Sequence, residues 1–146
     1  MAGIIEHGRD DVIWLLETGF VYLEMGQTEA ARETFEGLVA LEPGQATYHA
    51  ALGQVLTEEG NLSEARRALR KAVDLDPGQA YSRCLLGDVL VRSKQIDPGK
   101  EELRQAYELE PDGPAGQTAK TILEGVEAEL YPPPPGEEMP PELRTL

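Results

Sequence analysis

Cys84, His7 and His49 are the side chains best suited to nucleophilic or metal chemistry in this sequence, and their spacing supports neither. A thiol nucleophile needs a base beside it, and a zinc site needs several Cys, His or carboxylate ligands at short, regular spacing. His7 and His49 stand far apart, and neither has a Cys or His neighbour at ligand spacing. The sequence has no glycine-rich phosphate loop and no Ser-His-Asp grouping. Asn61-Leu62-Ser63 matches a glycosylation pattern, which is accidental in a chain that is not secreted. Cys84 therefore reads as a packed or groove-lining thiol, the histidines as solvated or packed, and the acidic residues as a solvated face. The expectation is a protein that is not an enzyme, with no metal and no cofactor.

Composition narrows the partners. The chain has 146 residues, enough for one domain with a core, and a net charge of −14. Residues 1–45 alone contribute nine acids against two basic residues. Such a field repels nucleic acid and anionic lipid, because phosphate binding needs a basic surface. Ile4-Ile5 is followed at once by Glu6, so the start of the chain does not read as a signal peptide. No stretch approaches the roughly 20 apolar residues needed to cross a bilayer. A single cysteine excludes an internal disulfide and fits a reducing compartment, so the expected location is cytoplasmic.

What must position any binding side chains is a repeat. Pro43, Pro77 and Pro111 are equally spaced, and each follows an apolar-acidic pair: Leu41-Glu42, Leu75-Asp76 and Leu109-Glu110. A fixed period of this length, about 34 residues, marks one helix pair stacked on its own copies. The phase gives 12–45, 46–79 and 80–113. Small residues recur where two helices must touch, at Gly19, Gly53 and Gly87, then at Ala31, Ala65 and Gly99. Large apolar residues recur between them, among them Phe35, Leu69 and Leu103. Gly26 and Gly60 mark the turn inside the first two units, and Thr28, Ser63 and Asp97 are expected to cap the second helices, with Pro98 at a first helical position. Each repeat-ending proline stops its helix.

This order of Gly, aromatic, Ala, aromatic and Pro resembles the tetratricopeptide repeat (TPR) family over residues 12–113. The usual Trp position holds Leu15, His49 and Arg83, and Lys94 replaces the third turn glycine. The resemblance implies an all-α fold, a right-handed α-solenoid of three TPR helix pairs. Beyond Pro114, Ala119, Ile122, Leu123, Val126 and Leu130 follow helical spacing, which predicts a capping helix over 114–130 to cover the last repeat. Residues 1–11 form a short N-terminal segment. Residues 131–146, with Pro132–Pro135, Pro140 and Pro141, predict an extended proline-rich tail, with a solvated tail favoured over one lying in its own groove.

In this family the first helix of each repeat lines the concave surface through positions 2, 5, 9 and 12. Carried over, the peptide-binding groove is Ile13, Leu16, Phe20 and Leu23, then Thr47, Ala50 and Gln54, then Tyr81, Cys84 and Asp88. The TPR class that clamps the carboxylate of heat-shock proteins uses Lys, Arg and Asn there, which Leu16, Phe20, Ala50 and Gln54 do not supply. Residues 12–23 are apolar nearly all round, leaving Trp14 and Val21 without the preceding repeat that Tyr48 and Val55 would have. Either Ile4 and Ile5 fold back over them, or they form a homodimer or partner edge. A short, acidic three-TPR chain with a C-terminal helix also resembles the type III secretion translocator chaperones. That resemblance implies a non-catalytic protein-binding module, a cytoplasmic chaperone holding an extended apolar peptide of a secreted client. The alternative is a general TPR adaptor or assembly scaffold.

Overall fold

The structure of the protein, a computed structural model, describes residues 8–133, 137 and 138. Seven helices run through them: α1 (Arg9–Glu24), α2 (Thr28–Leu41), α3 (Ala46–Glu58), α4 (Leu62–Leu75), α5 (Ala80–Arg92), α6 (Ile96–Leu109) and α7 (Pro114–Glu127). Helices α1 and α2, α3 and α4, and α5 and α6 pack as pairs, and each pair packs on the next. The leading helices α1, α3, α5 and α7 also touch in succession, while no helix reaches beyond its neighbouring unit. Contacts that stay between neighbours make the array an α-solenoid.

Each pair closes on a glycine. A Cβ on Gly19 would lie 2.3 Å from the Phe35 ring, one on Gly53 2.4 Å from Leu69, and one on Gly87 2.6 Å from Leu103. Phe35, Leu69 and Leu103 are each fully buried. The missing side chain on one helix is thus the socket for the largest apolar group of the other. The core divides accordingly into three clusters, one around Phe35 and Leu38, one around Leu69 and Leu90, and one around Leu103 and Ile122. Tyr48 and Val55 are buried in the first cluster, against side chains of the preceding pair.

The turn inside each pair repeats as well. At Gly26, Gly60 and Lys94 the backbone is left-handed, with φ of 74°, 79° and 66°. The following amide bonds back to the carbonyl of Tyr22, Leu56 or Leu90, which satisfies the last orphan carbonyls of the leading helix. Lys94 adopts this conformation without being a glycine. The expected caps are displaced: the residues before α2, α4 and α6 are Gln27, Asn61 and Gln95, and none makes a side-chain cap bond. Thr28 opens α2, while Ser63 and Asp97 are second residues of their helices. The helices are entered one residue earlier than expected at α2 and two earlier at α4 and α6, and Asn61 turns its amide to Glu64 instead, at 3.1 Å. Pro98 is consequently the third residue of α6, still inside the first turn, where no helical N–H partner is lost.

Helix α7 begins one repeat period after α5 and ends at Glu127, short of 130. Ala119, Ile122 and Val126 are buried, but Leu130 is exposed. The chain turns at Glu129 (φ 59°), and Tyr131 is buried in its place, only 5% exposed. The expectation of a solvated tail from residue 131 is therefore corrected at its first residue. Ile4 and Ile5, with the fold-back proposed for them, and residues 134–136 and 139–146 of the tail lie outside the described residues.

Candidate functional site: the row of leading helices

The side-by-side packing of α1, α3, α5 and α7 places equivalent positions of successive repeats in one row. At the N-terminal end Ile13 is exposed, Leu16 and Phe20 are half-buried against the first core cluster, and Leu23 is buried. The Phe20 ring lies 5.2 Å from that of Phe35, tilted by 59°. In the middle Thr47 and Gln54 are half-buried and Ala50 is fully buried. At the far end Tyr81 and Asp88 are half-buried and Cys84 is buried. Leu23, Ala50 and Cys84 thus form the floor of the row, and the other seven stand above it.

Polar side chains in the row are matched across helices. Tyr81 Oη donates to Gln54 Oε1 at 2.7 Å, and Gln79 Nε2 donates to Thr47 Oγ1 at 2.9 Å. A hollow of about 360 Å³ opens between Gln54, Tyr81, Cys84 and Leu85 on one side and Ala115 and Thr118 of α7 on the other. Sequence reasoning did not assign α7 to this surface. The signal was available, since Ala115 and Thr118 stand one repeat period after Tyr81 and Cys84. Burial pushes the Tyr81 hydroxyl well above the ordinary phenol range, with Cys84 and Glu58 adding to it. The Cys84 thiol is pushed up to about 12, first by burial and then by the Asp88 carboxylate. At neutral pH both groups are protonated, and neither is an activated nucleophile.

Two features escaped the sequence reading. After the first unit, the residues in place of the usual Trp are donors to the preceding proline: His49 Nε2 lies 2.7 Å from the Pro43 carbonyl, Arg83 Nε donates to that of Pro77 at 2.7 Å, and Gln117 donates to that of Pro111. A donor at the same short distance after each proline was the visible sign. The second feature is a hydrogen-bonded cluster at the end of the row, with Tyr131 buried and Asp88 and Arg92 half-buried. Tyr131 Oη donates to Asp88 Oδ1, Arg92 Nε donates to the same oxygen at 3.0 Å, and the Arg92 guanidinium lies 5.4 Å from the Tyr131 ring centre. Tyr131 is out of phase with every repeat, so periodicity gave no sign of it.

Trp14 and Val21 stand apart from the row, 63% and 51% exposed on the outer side of α1, with Met25 exposed after them. Among the described residues no three His, Cys, Asp or Glu side chains converge as metal ligands. Among the same residues no helix is long and apolar enough to cross a membrane.

A stack of helix pairs that leaves one row of leading helices open is a helical-repeat protein. Two family models described as tetratricopeptide repeat match residues 16–80 and 56–123, and the chain belongs to the tetratricopeptide repeat family. No curated protein matches it. Among solved structures it is similar to the type III secretion translocator chaperone SycD of Yersinia enterocolitica in an alternative dimer form, with 18% identity and a TM-score of 0.73 over 86% of this chain and 98% of that one. It is similar to PcrH in complex with the chaperone binding region of PopD, with 21% identity and a TM-score of 0.72 over 88% and 98%. An O-GlcNAc transferase of Thermobaculum terrenum is 32% identical with a TM-score of 0.72, but the match covers 80% of this chain and only 22% of the transferase.

Proposed function

We propose that the protein is a non-catalytic binding module whose concave row of leading helices holds an extended, apolar stretch of another polypeptide, and that it acts as a cytoplasmic chaperone for a secreted client. The observation that carries this reading is the row itself. Leu16 and Phe20 at one end, and the hollow bounded by Gln54, Tyr81 and Thr118 at the other, present half-buried apolar groups on one side of the stack. Burying such surface gives about 25 cal/mol per Å², less the cost of ordering the client. PcrH, which has this fold over nearly its whole length, was solved with a chaperone binding region, which supports a peptide ligand here too.

The exposed Trp14 and Val21 supply the second element, an edge that pairs two copies or meets a partner. The test is capture from a lysate of the source organism by the unsubstituted chain and by Leu16→Glu/Phe20→Glu. A large apolar polypeptide, identified by mass spectrometry, is retained by the former and lost by the latter. Equal capture by both variants sinks the groove reading.

A further inference from the structure

The end of the row is built differently from the rest, and its own chain occupies it. Tyr131 lies beyond the end of α7, yet it is buried and belongs to the core cluster that holds Cys84, Val91, Ile122 and Val126. Its hydroxyl donates to Asp88, which stands at the repeat position of Phe20 and Gln54. Arg92 completes the site from one turn further along α5, bonded to the same carboxylate and placed over the ring. A phenylalanine would fill the space but leave that carboxylate without the phenolic donor, and a small polar side chain would leave the space empty. The chemistry is thus specific for tyrosine.

The backbone of this stretch is a helix cap, with the amides of Ala128, Glu129, Leu130 and Tyr131 bonded back to the carbonyls of Glu124, Val126 and Gly125, and the Tyr131 side chain extends from that cap to Asp88. Ala128, Glu129 and Leu130 are all exposed, and Glu129 takes a left-handed backbone that favours glycine. Pro132 and Pro133 follow, half-buried. Rotation about the tyrosine's own side-chain bonds withdraws the ring while the backbone cap stays in place, and a second ring can then occupy the space it leaves. Cys84, in the same core cluster as Tyr131, also lines the 360 Å³ hollow, which sets the tyrosine site beside the row.

We propose that Asp88 and Arg92 form a subsite for a tyrosine carried on an extended, proline-rich segment, which Tyr131 fills until a partner's tyrosine takes its place. This rests on the groove reading above and adds what the far end of the groove selects. Proline-rich segments suit such exchange, because their extended backbone is already ordered before binding.

The probe is a fluorescent peptide with the sequence of residues 129–138, in tyrosine and phenylalanine forms, titrated against the full chain. It binds Tyr131→Ala at least tenfold more tightly than the unsubstituted chain, the phenylalanine form binds several-fold more weakly, and adding Asp88→Asn removes that preference. Equal binding to both chains, or none, overturns the proposal. Should Tyr131→Ala fail to fold, Tyr131→Phe decides: it retains the ring but not the hydroxyl, so the tyrosine peptide must bind it at least twofold better than the unsubstituted chain, and no gain overturns the proposal. Phe20→Glu separates this from the groove reading. If it abolishes client capture while the peptide ignores Tyr131→Ala, only the subsite fails; if the peptide binds and capture is unaffected, only the groove reading fails.

Discussion

Among the described residues, the two ends of the stack each present a terminal helix with a face that no further repeat covers, and they differ in what that face shows. At the N-terminal end α1 leaves Ile13, Trp14 and Val21 exposed, with Met25 exposed just after it. At the C-terminal end α7 turns Ala119, Ile122 and Val126 inward, presents Lys120, Glu124 and Glu127 to solvent, and is followed by Tyr131 as a plug. One column of the repeat shows the contrast directly. Trp14, Tyr48, Ser82 and Gly116 are equivalent residues. Tyr48 and Ser82 are buried between repeats, Trp14 is exposed, and a Cβ on Gly116 would lie 1.6 Å from the Glu110 carbonyl oxygen. The C-terminal end buries or fills this column, and the N-terminal end leaves it exposed.

The largest expected effect lies in the closed end. With its pKa raised from 9.0 to about 12, the Cys84 thiolate at pH 8 is roughly a thousandfold scarcer than that of an ordinary thiol. Alkylation of the folded chain by iodoacetamide, followed by mass spectrometry, is slower by about that factor and keeps rising beyond pH 9, where a free thiol levels off. The unfolded chain ionises this thiol near pH 9 while the folded chain does not, so stability falls as pH rises above 9. A rate matching that of the denatured chain would show that the end is open.

Aromatic deletions then separate the ends by stability. Tyr131→Ala costs about 3 kcal/mol, as for other large buried side chains, whereas Trp14→Ala stays within about 0.5 kcal/mol. Gly116→Ala, which adds one methyl group in the column of Trp14, costs about 2–3 kcal/mol because the atom it meets is backbone. Urea midpoints for the three variants order them, and a Trp14→Ala loss as large as that of Tyr131→Ala would mean that the open end is covered. Association is the complementary readout. If Trp14 and Val21 pair two copies, Trp14→Glu halves the mass seen by light scattering and leaves the urea midpoint of the monomer nearly unchanged; an unaltered mass rejects a dimer through this edge.

How much of this was legible depended on periodicity. The glycine sockets at Gly19, Gly53 and Gly87 and the turns at Gly26 and Gly60 could be read because the same physical demand recurs in each repeat. The place of α7 in the row obeyed that phase too, but a helix expected as a cap drew attention to its buried stripe instead of its open face. Tyr131 was illegible for the opposite reason. It sits among prolines, follows a left-handed turn at Glu129, and owes its burial to Asp88 and Arg92, which are a full repeat and more earlier in the chain. Thr28, Ser63 and Asp97 misled as caps because the second helices are entered earlier, at Gln27, Asn61 and Gln95, which puts all three residues inside the first turn.

The smallest effect concerns the turns, which divide along the same line. The two N-terminal ones place glycine in the left-handed conformation, while the third and the one after α7 place Lys94 and Glu129 there. An L side chain in that region costs about 1 kcal/mol relative to glycine. Lys94→Gly should therefore stabilise the chain by about 0.5–1 kcal/mol, glycine's greater freedom in the unfolded state offsetting part of the gain. Gly60→Ala should destabilise it by a similar amount, and nothing lies within 4 Å of the added methyl group to confuse that result with a clash. Urea midpoints moving in opposite directions for the two variants would show that the turns share one geometry and differ only in strain. A loss of stability in Lys94→Gly would instead mean that the lysine's backbone is not left-handed, and that the third pair is joined by a different turn from the first two.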